Sequence, residues 1–111
     1  MAVHDRTLQM LGICKRAGRV VAGFDAVEAA AEDHSAKLVL CSEGLSERTK
    51  RKTEAFCRRC GTPWIPCSMT LEEIEWMIGR RSGVLAITDE GLAGKMRSLI
   101  AQEEEENSLC L

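Results

Sequence analysis

The chain contains no tyrosine, and its aromatic set is limited to Phe24, Phe56, Trp64 and Trp76. A sheet face that stacks single-stranded bases needs several aromatics on its strands, which excludes an aromatic recognition platform. Histidine is as scarce: only His4 and His34 are present, both expected at exposed positions near helix ends. Without one of them, no Ser–His–carboxylate or Cys–His set can be assembled, which argues against nucleophilic catalysis. Long apolar runs are also missing. The longest, Lys37–Cys41 and Gly83–Ile87, fall far short of the ~20 residues of a membrane span. The opening Met1-Ala-Val-His-Asp-Arg lacks the apolar stretch of a secretion signal. The expectation is a cytoplasmic chain with no membrane partner.

Cysteine is the exception to this scarcity, at six in 111 residues: Cys14, Cys41, Cys57, Cys60, Cys67 and Cys110. In a reducing compartment these are thiols or metal ligands rather than disulfides. Cys57-Arg-Arg-Cys60 has metal-ligand spacing and Cys67 could add a third sulfur, but no second CxxC or His pair completes a zinc set. A redox pair belongs at a helix start, where the dipole lowers a thiol pKa, whereas this one sits at a helix end before Gly61. Structural thiols are the favoured reading, with metal binding and redox chemistry as the alternatives and no metal or cofactor expected.

The formal net charge of −2 conceals an uneven distribution. Four of the 17 acids are Glu103–Glu106, so residues 1–101 carry 15 bases against 13 acids. A mildly basic body with an acidic tail is compatible with an anionic partner. Bases cluster in three groups: Lys15, Arg16 and Arg19; then Arg48, Lys50, Arg51, Lys52, Arg58 and Arg59; then Arg80-Arg81.

Periodicity and punctuation predict an alternation of helices and strands. Asp5 is read as the cap of a helix reaching Ala17, followed by a strand over Arg19–Ala22 and a helix over Asp25–Asp33. Lys37–Ser42 is apolar and of strand length, as for a strand buried on both faces. Ser46 caps a helix that ends at Gly61, and Pro63–Cys67 is a strand whose prolines suit an edge position. Thr70-Leu-Glu-Glu73 spells a capping box for a helix ending at Gly79. Gly83–Thr88 is the fourth strand, and Asp89 caps a last helix, fraying from about Gln102. Five helices and four strands in this order predict one α/β/α sandwich, residues 1–101, with a four-stranded, largely parallel or mixed sheet.

Few residues are arranged for chemistry. Asp89 and Glu90 pair at a strand end but serve as cap and first-turn acids. Gly91-Leu-Ala-Gly94-Lys95-Met96 follows a strand in the manner of a phosphate loop. However, Asp89 stands at the first glycine position, and Met96 where Ser or Thr would hold magnesium. Gly23-Phe24-Asp25 places a glycine before a helix start, where backbone N–H groups can meet an anion or base edge. The plainer reading makes Gly23 a turn residue and Phe24 a core staple.

Ala17-Gly-Arg-Val-Val-Ala-Gly-Phe24, Ser35-Ala-Lys-Leu-Val-Leu40, Ile78-Gly79 and Val84-Leu-Ala-Ile-Thr-Asp-Glu-Gly91 together resemble the superfamily of kink-turn RNA-binding ribosomal proteins, most closely its small bacterial members. The resemblance spans roughly residues 6–100 and implies an α/β/α sandwich. It also implies a non-enzymatic, monomeric RNA-binding protein, ribosomal or ribosome-associated, acting on bent RNA with tandem G·A pairs. Carried over by position, the RNA contacts would be Gly23, Phe24 and Asp25; Lys37 and Glu43; and Arg81, Ser82 and Gly83. Gly23 would allow close backbone approach, Asp25 would accept from guanine edges and Lys37 would meet phosphate. The family's strong binders have Asn-Glu after the glycine turn and a Lys one helical turn later. Here those places hold Asp25-Ala26 and Ala29. The alternative reading is a protein-interaction module that kept this fold and lost kink-turn specificity.

Overall fold

A computed structural model of the chain describes residues 2–109. It comprises α1 (Val3–Arg16), β1 (Val20–Ala22), α2 (Phe24–Glu32), β2 (Leu38–Cys41), α3 (Glu47–Cys60), β3 (Trp64–Pro66), α4 (Leu71–Ile78), β4 (Val84–Ile87) and α5 (Glu90–Leu109). The strands form one sheet in the order β1-β4-β2-β3. Side chains alternate across the central strands and so build two cores. Leu38, Leu40, Leu85 and Ile87 pack with Leu11, Ile74 and Met96 from α1, α4 and α5. Val39, Val84 and Ala86 pack with Val27, Ala31 and Phe56 from α2 and α3. The result is a three-layer α/β/α sandwich.

The sheet is mixed rather than largely parallel. β2 and β3 run parallel, but β4 lies between β1 and β2 and is antiparallel to both. The reversal occurs at α4: it returns the chain to the end of the sheet where β3 left, whereas α2 and α3 carry it to the opposite end. Pro66 of β3 is accommodated at an edge, as expected, and Pro63 lies just before the strand.

The anticipated caps form. Ser46 Oγ accepts from Thr49 N–H, Thr70 and Glu73 close a reciprocal box, and Asp89 accepts from Leu92 N–H at 2.8 Å. Asp5 does not cap α1: the helix begins at Val3, leaving Asp5 in its first turn. Tertiary contacts explain the extra residues, because Val3 is buried and His4 finds partners. His4 Nε2 meets Glu73 Oε2 at 2.8 Å, and Nδ1 meets Glu103 Oε1 at 2.9 Å. Ser68 Oγ also bonds Glu103. His4 is thus a half-buried tie between α1, α4 and α5 rather than a free surface residue. Helix α5 continues through Glu103–Glu106, beyond the expected fraying point.

Of the cysteines, Cys14, Cys41, Cys57 and Cys67 are buried thiols. Burial pushes the Cys57 and Cys67 thiols up to about 12 and Cys41 to about 11, which makes them poor nucleophiles. Cys60 is half-buried, and Cys110 lies outside the described residues. No helix among the described residues is long and apolar enough to cross a membrane.

The hydrogen bond to Glu73, helped by Glu103, raises the His4 pKa above its ordinary 6.5 against a desolvation cost. A raised folded-state value means that the stabilisation is complete below 6.5 and is lost as pH rises through the folded value. Wild-type unfolding free energy should therefore fall by about 0.5–1 kcal/mol on that alkaline side, a size typical of a solvent-screened pair. In His4→Gln this decline should be absent. Denaturant titrations at a series of pH values would check it, and equal slopes would remove the tie from the account.

Candidate nucleic-acid interface

β1, β2 and β3 all end at the same edge of the sandwich, where β4 begins, so the loops that follow them converge there. Three hydrogen bonds hold the convergence. Gly23 N–H donates to Val84 O at 3.0 Å, Ser42 N–H to Gly83 O at 2.8 Å, and Glu43 N–H to Met69 O at 3.3 Å. Around this junction lie Gly23, Phe24 and Asp25, then Glu43, then Ser82 and Gly83.

Each plays a distinct part. Gly23 has φ 103°, a conformation that side chains disfavour. Phe24 packs edge-on against Phe56 with ring centroids 5.4 Å apart, which anchors the start of α2. Asp25 and Glu43 are exposed carboxylates. Ser82 is buried, and its hydroxyl bonds both the carbonyl and the N–H of Val84, so it braces the loop rather than facing solvent. Gly83 leaves room for Leu45: a methyl group at Gly83 would lie 2.5 Å from Leu45 Cδ1.

The start of α2 is open. Its first intrahelical bond runs from Val27 N–H to Gly23 O, and no side chain caps it among the described residues. The N–H groups of Phe24, Asp25 and Ala26 therefore have no intrahelical acceptor, and the positive end of the helix dipole is bare. The other converging helices, α3 and α4, are capped.

The cation at this turn is Arg80. A methyl group at Gly23 would lie 2.7 Å from Arg80 Nη2, which places the guanidinium over the glycine. Its neighbour Arg81, the expected contact, points the other way and bridges Glu72 at 3.0 Å and Glu75 at 3.8 Å on α4. Lys37 lies at the opposite end of β2 from Ser42, roughly 16 Å away at 3.3 Å per residue. Its Nζ donates to His34 O at 3.0 Å, and it lines a separate cleft of about 480 Å³ with Arg97. The structure thus groups Gly23, Phe24, Asp25, Glu43, Ser82 and Gly83, adds Arg80, and sets Arg81 and Lys37 apart. The Arg80-Arg81 pair was legible as a basic group; which of the two faces Gly23 depends on the left-handed Gly79 before them.

Helix α3 extends the positive surface from the same end of the sheet. Arg58 lies over the Trp64 ring at 5.4 Å, Arg59 pairs with Glu28 at 3.4 Å, and Lys50 with Glu47 at 3.8 Å. Arg48, Arg51 and Lys52 are exposed and have no carboxylate partner among the described residues. Arg48, Lys52 and Arg59 fall at i, i+4 and i+11, on one flank of the helix. That flank faces α2, because Arg59 reaches Glu28 there.

Together, these features define a small α/β/α protein with an open, arginine-covered helix start at one end of its sheet. The chain is 34% identical over 96 residues to RNA-binding protein YlxQ of Bacillus subtilis, covering 82% of this chain and 91% of the relative. It is 30% identical over 99 residues to RNA-binding protein YlxQ of Enterococcus faecium, covering 87% and 93%. A solved structure, a protein with unknown function from Bacillus halodurans C, superposes with TM-score 0.79 at 25% identity, over 86% of this chain and 96% of that one. No family model matches. The chain belongs to the YlxQ family.

Gly23→Ala should lower stability by about 1–2 kcal/mol in chemical denaturation, through its positive φ. The double variant Gly23→Ala/Arg80→Ala should show the same loss, since the guanidinium can swing away. Full recovery in the double variant would mean that crowding, and not backbone conformation, selects glycine here.

Proposed function

We propose that this protein is a non-enzymatic RNA-binding protein that recognises structured RNA of the kink-turn kind, on or beside the ribosome. The observation that supports it most is the uncapped start of α2 beneath the Arg80 guanidinium. Orphan N–H groups, a helix dipole and a planar cation meet there at a turn without a side chain. Relatives named as RNA-binding proteins over most of their length support the same reading. In it, the α2 start and Arg80 engage the bent backbone, Asp25 and Glu43 accept from guanine edges, and the free bases of α3 meet flanking phosphates.

Ala26 and Ala29 shape the affinity. Where strong binders of the kink-turn superfamily have an acceptor and a cation, this chain has methyl groups, and each missing contact is worth ~1–3 kcal/mol. The bases on the α2-facing flank of α3 lie one helix away from Ala29. They restore charge without restoring its position, so they add phosphate attraction to the base-edge contacts of Asp25 and Glu43.

The test is a titration of a kink-turn RNA and a variant RNA lacking the G·A pairs, at two salt concentrations. Preference for the intact kink should survive physiological salt. Equal binding that vanishes with salt would leave phosphate attraction alone and overturn the reading. Arg80→Ala should weaken binding about tenfold or more, as expected for a charge-assisted contact. Arg81→Ala and Lys37→Ala should each change it by about twofold or less, in line with an exposed charge outside the site. In a separate gain-of-function experiment, Asp25→Asn with Ala26→Glu and Ala29→Lys should tighten kink-turn binding by ~10²-fold or more, taking the same contact energies. No gain would argue against this placement of the site.

A further inference from the structure

Trp76 is 87% exposed, in a chain with four aromatic residues. The other three have partners: Phe24 and Phe56 stack on each other, and Trp64 lies under Arg58. Trp76 projects from α4 beside a shallow cavity of about 200 Å³ that it lines with Leu8, Met77, Glu72 and Glu73. Behind the hollow, Met77 packs on Gly12 of α1: a methyl group at Gly12 would lie 3.0 Å from Met77 Cε and 3.4 Å from Arg16 Nη1. An indole left in water beside such a hollow is a common mark of an interface.

Charge selects the partner. Glu72, Glu73 and Glu75 lie on α4 around Trp76, and Glu103 of α5 is joined to Glu73 through His4. These carboxylates repel phosphate, which sets this face apart from the Gly23 end and its bases. The rim already holds one guanidinium: Arg81 bridges Glu72 and Glu75, leaving Glu72 71% and Glu75 54% exposed. Arginine also suits the exposed face of an indole.

We propose that the Trp76 face of α4 is a protein-docking surface for an arginine-rich amphipathic segment of a partner protein. The segment's apolar side covers Leu8, Met77 and the indole, while its guanidinium groups meet the carboxylates of α4. The surface uses none of the residues grouped at the Gly23 turn, so this inference stands whether or not RNA binds there.

The test uses the full chain carrying Trp64→Phe, so that emission reports Trp76 alone, with calorimetry on the natural chain for affinity. The probes are a synthetic amphipathic helix bearing arginines, its charge-reversed glutamate counterpart, and the kink-turn RNA. The arginine peptide should saturably blue-shift the emission and bind about tenfold or more tighter than the glutamate peptide. Trp76→Ala should weaken it about tenfold, within the range of an aromatic anchor. Trp76 can be truncated without opening the core, and circular dichroism verifies the fold. Arg81→Ala should tighten the arginine peptide, because it releases two carboxylates. Equal affinity for the two peptides would overturn the proposal, as would binding unaffected by Trp76→Ala. It would also be overturned if the RNA itself shifted the emission, or if sedimentation showed Trp76 covered by a second copy of the chain.

Discussion

The short stretch Ser82–Val84 holds the working end of the molecule together. Gly83 and Val84 accept hydrogen bonds from loops that lie far apart in the chain, at Ser42 and Gly23. The buried Ser82 hydroxyl, bonded to both polar groups of Val84, stiffens the segment that receives them. With β4 paired on both sides, the Gly23 turn has little freedom to drift relative to the Glu43 loop. A candidate site built from backbone and short side chains depends on this. Such groups reach only a few ångströms, so their positions must be set by the scaffold.

Most of the fold was legible because its signals are local. Ser46, Thr70 and Asp89 sit where hydroxyl or carboxylate caps belong, and they cap. The apolar runs at β2 and β4 are strands buried on both faces. What periodicity could not show is strand direction, which depends on the end of the sheet to which α4 returns the chain. The start of α1 was misplaced for a similar reason: Val3 and His4 are drawn into the helix by burial and by carboxylates 69 and 99 residues away in the chain. No local propensity encodes those contacts.

The candidate site was legible as a set of loops but not as a set of side chains. Family position pointed to Arg81 and Lys37. In the fold, adjacent arginines after a left-handed glycine diverge, one to Gly23 and the other to the glutamates of α4. Lys37 is carried to the far end of its strand. Strand length sets that separation, and no motif reports it. The cysteines went the other way: a CxxC that invites metal or redox readings has Cys57 within the α2–α3 core, held as a thiol by burial. The substitution of Ala26 and Ala29 for polar contacts acquires meaning only beside α3, whose bases occupy the neighbouring helix and not the same one.

The separation of charge described for α3 and for the α4–α5 side has a consequence for motion. Exposed bases on α3 and carboxylates around Trp76 on α4 make the surface charge uneven. In the field of a polyanion the molecule experiences a torque before it makes contact. Such a torque would bring the bases of α3 forward first, so orientation would be biased during approach. Raising ionic strength shortens the range of that torque to about a Debye length, ~8 Å at physiological salt, and confines the effect to the last moments of encounter.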